Sequence, residues 1–194
     1  GAIRLSYQYV TQTPPADAMH PWAGQVRLQT APDIAVSKGD VLFSHPRDMR
    51  GAVNYALQIG HDVNVMTTKP GEIMGYLAYG HPFLDGNGRT IMVVHAMLSQ
   101  RAGISIAWSM TDKTDYLVAL TRELKNPDRG HLDEYLKPFV RHAVDGGGLA
   151  THNTHTLGLD GNLDQLPDAN KVLGTYSDPA LQARYQLQKK QRQK

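Results

Sequence analysis

The stretch HPFLDGNGRT, residues 81–90, lies between two segments whose apolar residues recur with helical spacing. The segment before it predicts a helix that begins near Pro70 and ends at Gly80, because glycine favours helix termination. The segment after it predicts a helix that begins near Arg89 and ends at Gly103. The pattern therefore predicts a short loop that runs directly into the N-terminus of a second helix.

Further helices are predicted on both sides of this pair. Apolar residues with helical spacing follow Pro46, follow Asp112, and recur from Leu132 to Val140. Residues 46–144 are therefore expected to form a helical core, and the fold class is expected to be all-α.

Residues 1–45 are expected to form a separate N-terminal segment, rich in Pro, Thr and Gln. Two β-like runs, residues 26–30 and 40–44, flank a segment that contains the turn-forming sequence SKGD. The runs predict a small β-hairpin, with an irregular loop as the alternative.

Residues 145–194 are expected to form a linker and a polar, basic C-terminal tail. Residues 145–175 are rich in Gly, Asp, Asn, Thr and His, which is typical of a long loop. The chain ends in KKQRQK, residues 189–194. This composition favours a solvated tail over an element that binds nucleic acid or a partner.

The composition excludes several classes of protein. The 194-residue chain contains no cysteine, which excludes disulfides and cysteine-ligated zinc sites. Its formal net charge of +2 is small for a dedicated DNA-binding protein, so we expect no nucleic acid among its partners. It has no apolar run of about 18 residues, so no membrane-spanning helix is expected.

The loop itself combines groups suited to phosphate chemistry. Gly86 and Gly88 allow backbone N–H groups to come close to an anion at a helix N-terminus, and Arg89 adds a planar guanidinium. Asp85 offers an oxygen ligand for Mg²⁺, which normally accompanies nucleotide phosphates. His81 can accept a proton near neutral pH. Together these groups predict a phosphoryl- or nucleotidyl-transfer site.

The same loop resembles the signature of the Fic family, His-Pro-Phe-x-Asp/Glu-Gly-Asn-Gly/Lys-Arg, and meets every specified position. The resemblance extends over residues 24–141. It implies an all-α, Fic-type helical domain with a small β-hairpin flap upstream of the active-site loop. It also implies a protein adenylyltransferase that moves AMP from ATP, with Mg²⁺, onto a Ser, Thr or Tyr hydroxyl of a target protein.

The resemblance assigns roles to the residues of the loop. His81 resembles the general base, and Asp85 resembles the Mg²⁺ ligand. The phosphate-binding part is implied for four residues, namely Gly86, Asn87, Gly88 and Arg89. Phe83 resembles the buried anchor that fixes the loop to the core.

The flap is the part of the resemblance that concerns the target protein. Its residues are Val41, Leu42 and Phe43, and the edge of their strand would pair with an extended segment of the target. A simple covering loop is the alternative.

Two positions bear on the choice of donor. Gly88 stands where relatives resembling the Doc toxin carry Lys, which favours nucleotide transfer over phosphate transfer. Met92 stands where many adenylyl-transferring members carry a second Arg that helps to hold the γ-phosphate. The open alternatives are a phosphotransferase, a transferase of phosphocholine or from another nucleotide donor, and a non-catalytic Fic-fold binding module.

The sequence also bears on inhibition. The inhibitory motif common in the family, Ser/Thr-x-x-x-Glu-Gly/Asn, is not completed at Glu72, Glu123 or Glu134. A separate antitoxin-like inhibitor is therefore a possible partner beside the target protein. The resemblance fits a cytoplasmic toxin as well as an effector delivered into a host or target cell.

Overall fold

The computed structural model describes residues 25–84, 86–143 and 171–192. In chain order the helices are α1 (Arg27–Thr30), α2 (Met49–His61), α3 (Val63–Thr68), α4 (Pro70–Gly80), α5 (Asn87–Arg101), α6 (Lys113–Lys125), α7 (His131–Leu136) and α8 (Pro179–Arg192). The strands are β1 (Ile34–Lys38), β2 (Val41–Leu42), β3 (Ile104–Ile106), β4 (Val140–His142) and β5 (Lys171–Thr175). Short 3₁₀ turns cover Trp108–Met110 and Lys137–Phe139. The mainly helical fold predicted from the sequence is confirmed.

Helix α4 lies at the centre of the helical core. It packs against α2, α5, α6 and α7, and all of its residues except Tyr76 are buried. Pro70 occupies the first helical position, where its missing N–H is no loss. The next N–H, that of Gly71, donates to the Asp133 carboxylate of α7 at 2.6 Å. The helix ends at Gly80, as the sequence predicts, and the loop HPFLDGNGRT follows directly.

The helices around α4 begin at residues that cap them. Asp62 accepts hydrogen bonds from the N–H groups of Asn64 and Val65 at the start of α3. Asp112 accepts one from Asp115 at the start of α6, the helix predicted to follow it.

Strands β3 and β4 form a two-stranded antiparallel sheet.

The β-hairpin is present, but its first strand is not the one predicted. In the run 26–30, Val26 precedes the first helical residue and Arg27–Thr30 form the helical turn α1. The hairpin consists of β1 and β2. The turn forms because tertiary contacts override the local β preference: the Arg27 side chain is fully buried, and its N–H donates to the Pro82 carbonyl at 2.8 Å. Ser37 and Lys38 of β1 pair with β2 in antiparallel register.

The C-terminal residues are not a solvated tail, in contrast to the prediction. β5 pairs with β1, so that the sheet has the order β2–β1–β5. α8 then packs on the hairpin, where Tyr176 and Tyr185 form a buried cluster with Ala35 and Leu42. The polar composition of this segment concealed the docking, because these few apolar residues supply the buried face. Residues 144–170, which hold most of the predicted linker, lie outside the described residues.

Among the described residues, no helix is long and apolar enough to cross a membrane.

Candidate active site

The loop between α4 and α5 is defined by two residues with left-handed backbone. His81 closes α4 with φ 41° and ψ 60°, and Gly86 precedes α5 with φ 73°. A left-handed conformation is easy for glycine, but for a residue such as histidine it costs about 1 kcal/mol or more. The surrounding structure therefore has to hold His81 in place.

Arg27 holds the backbone of His81. Its Nε donates to the His81 carbonyl at 2.6 Å, and its Nη2 donates to the carbonyls of Ser44 at 2.7 Å and Gly80 at 3.4 Å. The carbonyls at the C-terminal end of a helix have no partner within the helix, so this single guanidinium stabilises the end of α4. Arg27 is not among the residues predicted from the sequence, because no local pattern marks an arginine as buried.

Arg27 also places a positive charge beside the predicted base. Burial lowers the pKa of Arg27 to about 10, so the side chain is still cationic at neutral pH. Burial lowers the pKa of His81 well below its ordinary value, and the charges of Arg27 and Lys38 lower it further. The His81 ring is therefore neutral, which is the form that accepts a proton.

The His81 ring is packed against the hairpin. Only 3% of the residue is exposed, and the Phe43 ring stacks on it with 3.9 Å between centroids and 8° between planes. Phe43 thus covers one face of the imidazole. A hydroxyl that approaches a ring nitrogen has to come along the plane of the ring.

Asn87 fixes which nitrogen of His81 is the acceptor. Asn87 Oδ1 accepts from the Phe83 N–H at 2.9 Å, and Nδ2 donates to the Phe83 carbonyl at 2.8 Å, so the backbone determines the orientation of the amide. The same Nδ2 lies 3.2 Å from His81 Nε2. An amide nitrogen only donates, so Nε2 accepts and carries the lone pair. The proton of the neutral ring is then on Nδ1.

The N-terminus of α5 has no side-chain cap. A Cβ placed on Gly88 would meet no atom within 4 Å. In the described part of the chain, Arg89 Nε and Thr90 Oγ1 are buried without a hydrogen-bond partner. The uncapped backbone N–H groups at the positive end of this 15-residue helix, beside the open space at Gly88, fit the phosphates of a nucleotide.

Phe83 and Met92 are buried residues of the core, whereas Asp85 lies outside the described residues. Phe83 is fully buried under the loop. Met92 is also buried, so its side chain belongs to the apolar core. Within the described ranges, no group of three His, Asp or Glu side chains is placed to hold a metal ion.

The three flap residues are buried. Val41 packs in the main core, and Leu42 lies in the cluster under α8. Phe43 covers His81. The hairpin therefore contacts the loop directly, and its docking role stays a prediction.

His95, on the helix after the loop, is a structural residue. It is fully buried, its Nε2 lies 2.8 Å from the Pro70 carbonyl, and it therefore donates to that carbonyl. Burial lowers the pKa of His95 to about 4. The side chain is neutral at physiological pH and links α5 to the start of α4.

His95 should make the fold sensitive to acid. Since its pKa is about 4 in the folded state and 6.5 in the reference state, only the unfolded chain takes up a proton between these values. The contribution of His95 is fully present above pH 6.5 and falls by about 3 kcal/mol as the pH is lowered to 4. In urea denaturation, His95→Gln should lose less stability than the wild type over this range, because its amide can donate to Pro70 and does not titrate. His61→Gln, at an exposed histidine, is the control; equal acid sensitivity of His95→Gln and wild type would contradict the assignment.

The chain is similar in sequence and in fold to known proteins. The sequence profile of the Fic/DOC family matches residues 7–99. The protein adenylyltransferase VbhT of Bartonella schoenbuchensis is 30% identical over 108 residues, which cover 50% of this chain and 21% of that protein. The chain thus spans about a fifth of the length of this relative.

A solved structure shares the fold. The crystal structure of BepC, a VirB-translocated effector protein of Bartonella tribocorum, with bound AMPPNP, superposes with a TM-score of 0.53 at 14% identity, covering 74% of this chain and 84% of that one. At this identity the match shows the fold alone. The chain is therefore similar to the Fic/DOC family over residues 7–99, a span that includes the loop between α4 and α5.

Proposed function

We propose that this chain is a protein nucleotidyltransferase that moves AMP from ATP onto a Ser, Thr or Tyr hydroxyl of a target protein. One observation carries the proposal: a neutral histidine, with its acceptor nitrogen set by Asn87, lies on the loop that begins an uncapped helix N-terminus. A base beside an anion-binding site is what the transfer of a phosphorus group to a hydroxyl needs.

The proposed reaction uses His81 as the general base. Nε2 gives up its contact with Asn87 Nδ2 and takes the proton of the target hydroxyl, and the oxygen attacks the α-phosphorus of ATP. The new bond joins this oxygen to phosphorus, the bond to the bridging oxygen breaks, and pyrophosphate leaves with the electron pair. Negative phosphates beside the loop also counter the charges of Arg27 and Lys38, and this raises the proton affinity of His81 when donor is bound.

The donor would be held by the residues at the start of α5. Backbone N–H groups of Gly86, Asn87 and Gly88 are the proposed phosphate ligands, and the Arg89 guanidinium is the proposed charged donor. The side chain of Asn87 is already used by Phe83 and His81, so its part is to position the base. Mg²⁺ would neutralise phosphate charge, and its proposed ligand is Asp85.

Met92 motivates a second candidate function. Its side chain is buried in the core, so this position offers no guanidinium to the γ-phosphate. A different donor, such as one that transfers phosphocholine, or transfer of the terminal phosphate, would use the same loop. Gly88 favours the first proposal, because it leaves the space at the helix N-terminus open.

A labelling experiment tests the proposal. Purified protein is incubated with a cell lysate, Mg²⁺ and ATP labelled at the α-phosphate, beside His81→Ala and the exposed control His61→Ala. We expect labelled protein bands with the wild type and His61→Ala, and a loss of about 100-fold or more with His81→Ala. A parallel reaction with γ-labelled ATP separates AMP transfer from phosphotransfer. Label from the γ-phosphate alone, or undiminished label with His81→Ala, would overturn the proposal.

A further inference from the structure

The outer edge of the hairpin at β2 has three backbone groups, two from Leu42 and one from Asp40 in the turn before it. Phe43 N–H donates to the Val36 carbonyl of β1 at 3.0 Å. Backbone groups alternate in direction along a strand, so the N–H and carbonyl of Leu42 point away from β1. The Asp40 carbonyl, two residues earlier, lies on the same side. An extended segment that paired with β2 would use these three groups.

Helix α8 already occupies all three groups. Gln188 Oε1 accepts from the Leu42 N–H at 3.1 Å, and Gln188 Nε2 donates to the Leu42 carbonyl at 2.6 Å. Arg184 Nη2 donates to the Asp40 carbonyl at 2.5 Å. Residues four apart share one face of a helix, so this face of α8 presents donors and an acceptor where a strand would present its backbone. The carboxamide of Gln188 reproduces the donor and acceptor of a peptide group.

Helix α8 also fixes the position of Phe43, the residue that stacks on His81. Tyr185, between these two residues, is buried against Leu42, and its hydroxyl donates to Asp48 Oδ2 at 2.9 Å. Leu42 is therefore held both through its backbone and through its side chain. The residue after it is Phe43, whose ring stacks on His81. Fixing Leu42 in this position fixes Phe43 over the base.

We propose that α8 is an autoinhibitory element that occupies the target-docking edge of β2 and keeps Phe43 on His81. A target strand pairs with β2 only after Gln188 and Arg184 have left it. The inference rests on the proposed function, because it concerns how the target hydroxyl reaches His81. It differs from inhibition at the phosphates, since α8 contacts the hairpin and leaves the N-terminus of α5 open.

The hydrogen bonds from α8 to the edge of β2 can be replaced by hydrogen bonds from a target strand. Arg184 is exposed and Gln188 is half-buried, so water reaches both when they leave the strand. A target segment would return hydrogen bonds of the same kind to the same three backbone groups. Only contacts made by side chains have to be replaced, whereas β1, β2 and β5 keep their pairing.

The test removes the two edge contacts and keeps the Tyr185 anchor. The full chain carrying Arg184→Ala with Gln188→Ala is compared with the wild type and with Gln182→Ala/Gln186→Ala, a matched pair at exposed positions of α8. Transfer from α-labelled ATP to lysate proteins is measured as an initial rate, and ATP binding is measured by calorimetry. We expect the rate of the edge variant to rise about tenfold, the control to equal the wild type, and ATP affinity to be unchanged in all three.

Each other outcome is decisive. His81-dependent labelling at equal rates in the edge variant and the wild type would leave the proposed function standing and overturn the autoinhibitory role of α8. A slower rate in the edge variant would do the same, because it would mean that α8 supports activity. No labelling by any variant, including the edge variant, would overturn the proposed function and this inference with it.

Discussion

Arg27→Met is expected to lower the free energy of unfolding by about 3 kcal/mol or more and to abolish transfer. Methionine has a similar length, but it donates no hydrogen bond, so the buried carbonyls of Ser44 and His81 would lose this donor. The Gly80 carbonyl would keep its hydrogen bond from the Ser44 hydroxyl. An unsatisfied buried polar group costs about 1–3 kcal/mol. His81 would also lose the contact that holds its left-handed backbone.

One further variant separates the charge of Arg27 from its geometry, and a second is the control. Arg27→Lys keeps the charge but offers a single nitrogen, so we expect an intermediate loss of stability, and transfer below the wild type even where the protein is folded. Arg50→Met makes the same chemical change at an exposed position of α2 and should stay within about 0.5 kcal/mol of the wild type. Urea denaturation followed by circular dichroism measures all three. An Arg27→Met protein as stable as Arg50→Met would show that the two carbonyls do not depend on this residue.

The loop was predictable from the sequence because its residues carry local information. Gly80 at the end of α4, Gly86 before α5 and the apolar spacing on both sides each act within a few residues. His81 and Asn87 follow from the same short string, which is specific enough to name the family. Local patterns therefore specified the loop and the two helices that it joins.

The parts that were not predictable depend on contacts between distant residues. Arg27 contacts residues 54 positions away, and nothing in the run 26–30 distinguishes a buried arginine from an exposed one. Gln188 contacts Leu42 across 146 positions, and a glutamine in a basic, polar segment is usually solvated. The C-terminal segment was predicted as a tail for this reason. The segment packs on the hairpin through Tyr185, which is buried against Leu42, a contact that no local pattern predicts.

Gly71→Ala is expected to be strongly destabilising because α4 and α7 meet there without room for a side chain. A Cβ on Gly71 would lie 2.4 Å from the Asp133 nitrogen and 2.5 Å from the Leu132 carbonyl carbon. Both are backbone atoms, so no rotamer change relieves the clash, and the two helices would have to move apart. This shift would also break the hydrogen bond from the Gly71 N–H to the Asp133 carboxylate. We expect a loss of about 3 kcal/mol.

Gly51→Ala is the matched control, and the change should have the opposite sign. Gly51 lies in α2, is exposed, and would present its Cβ to no atom within 4 Å. Alanine there restricts the unfolded chain and favours the helix, so stability should rise by about 0.5 kcal/mol. Urea midpoints at unchanged m-value measure both effects. Because α4 leads directly to His81, Gly71→Ala should also reduce transfer at temperatures where the protein is still folded, whereas Gly51→Ala should not. A Gly71→Ala protein with the midpoint of the wild type would mean that α4 and α7 lie further apart than the structure places them.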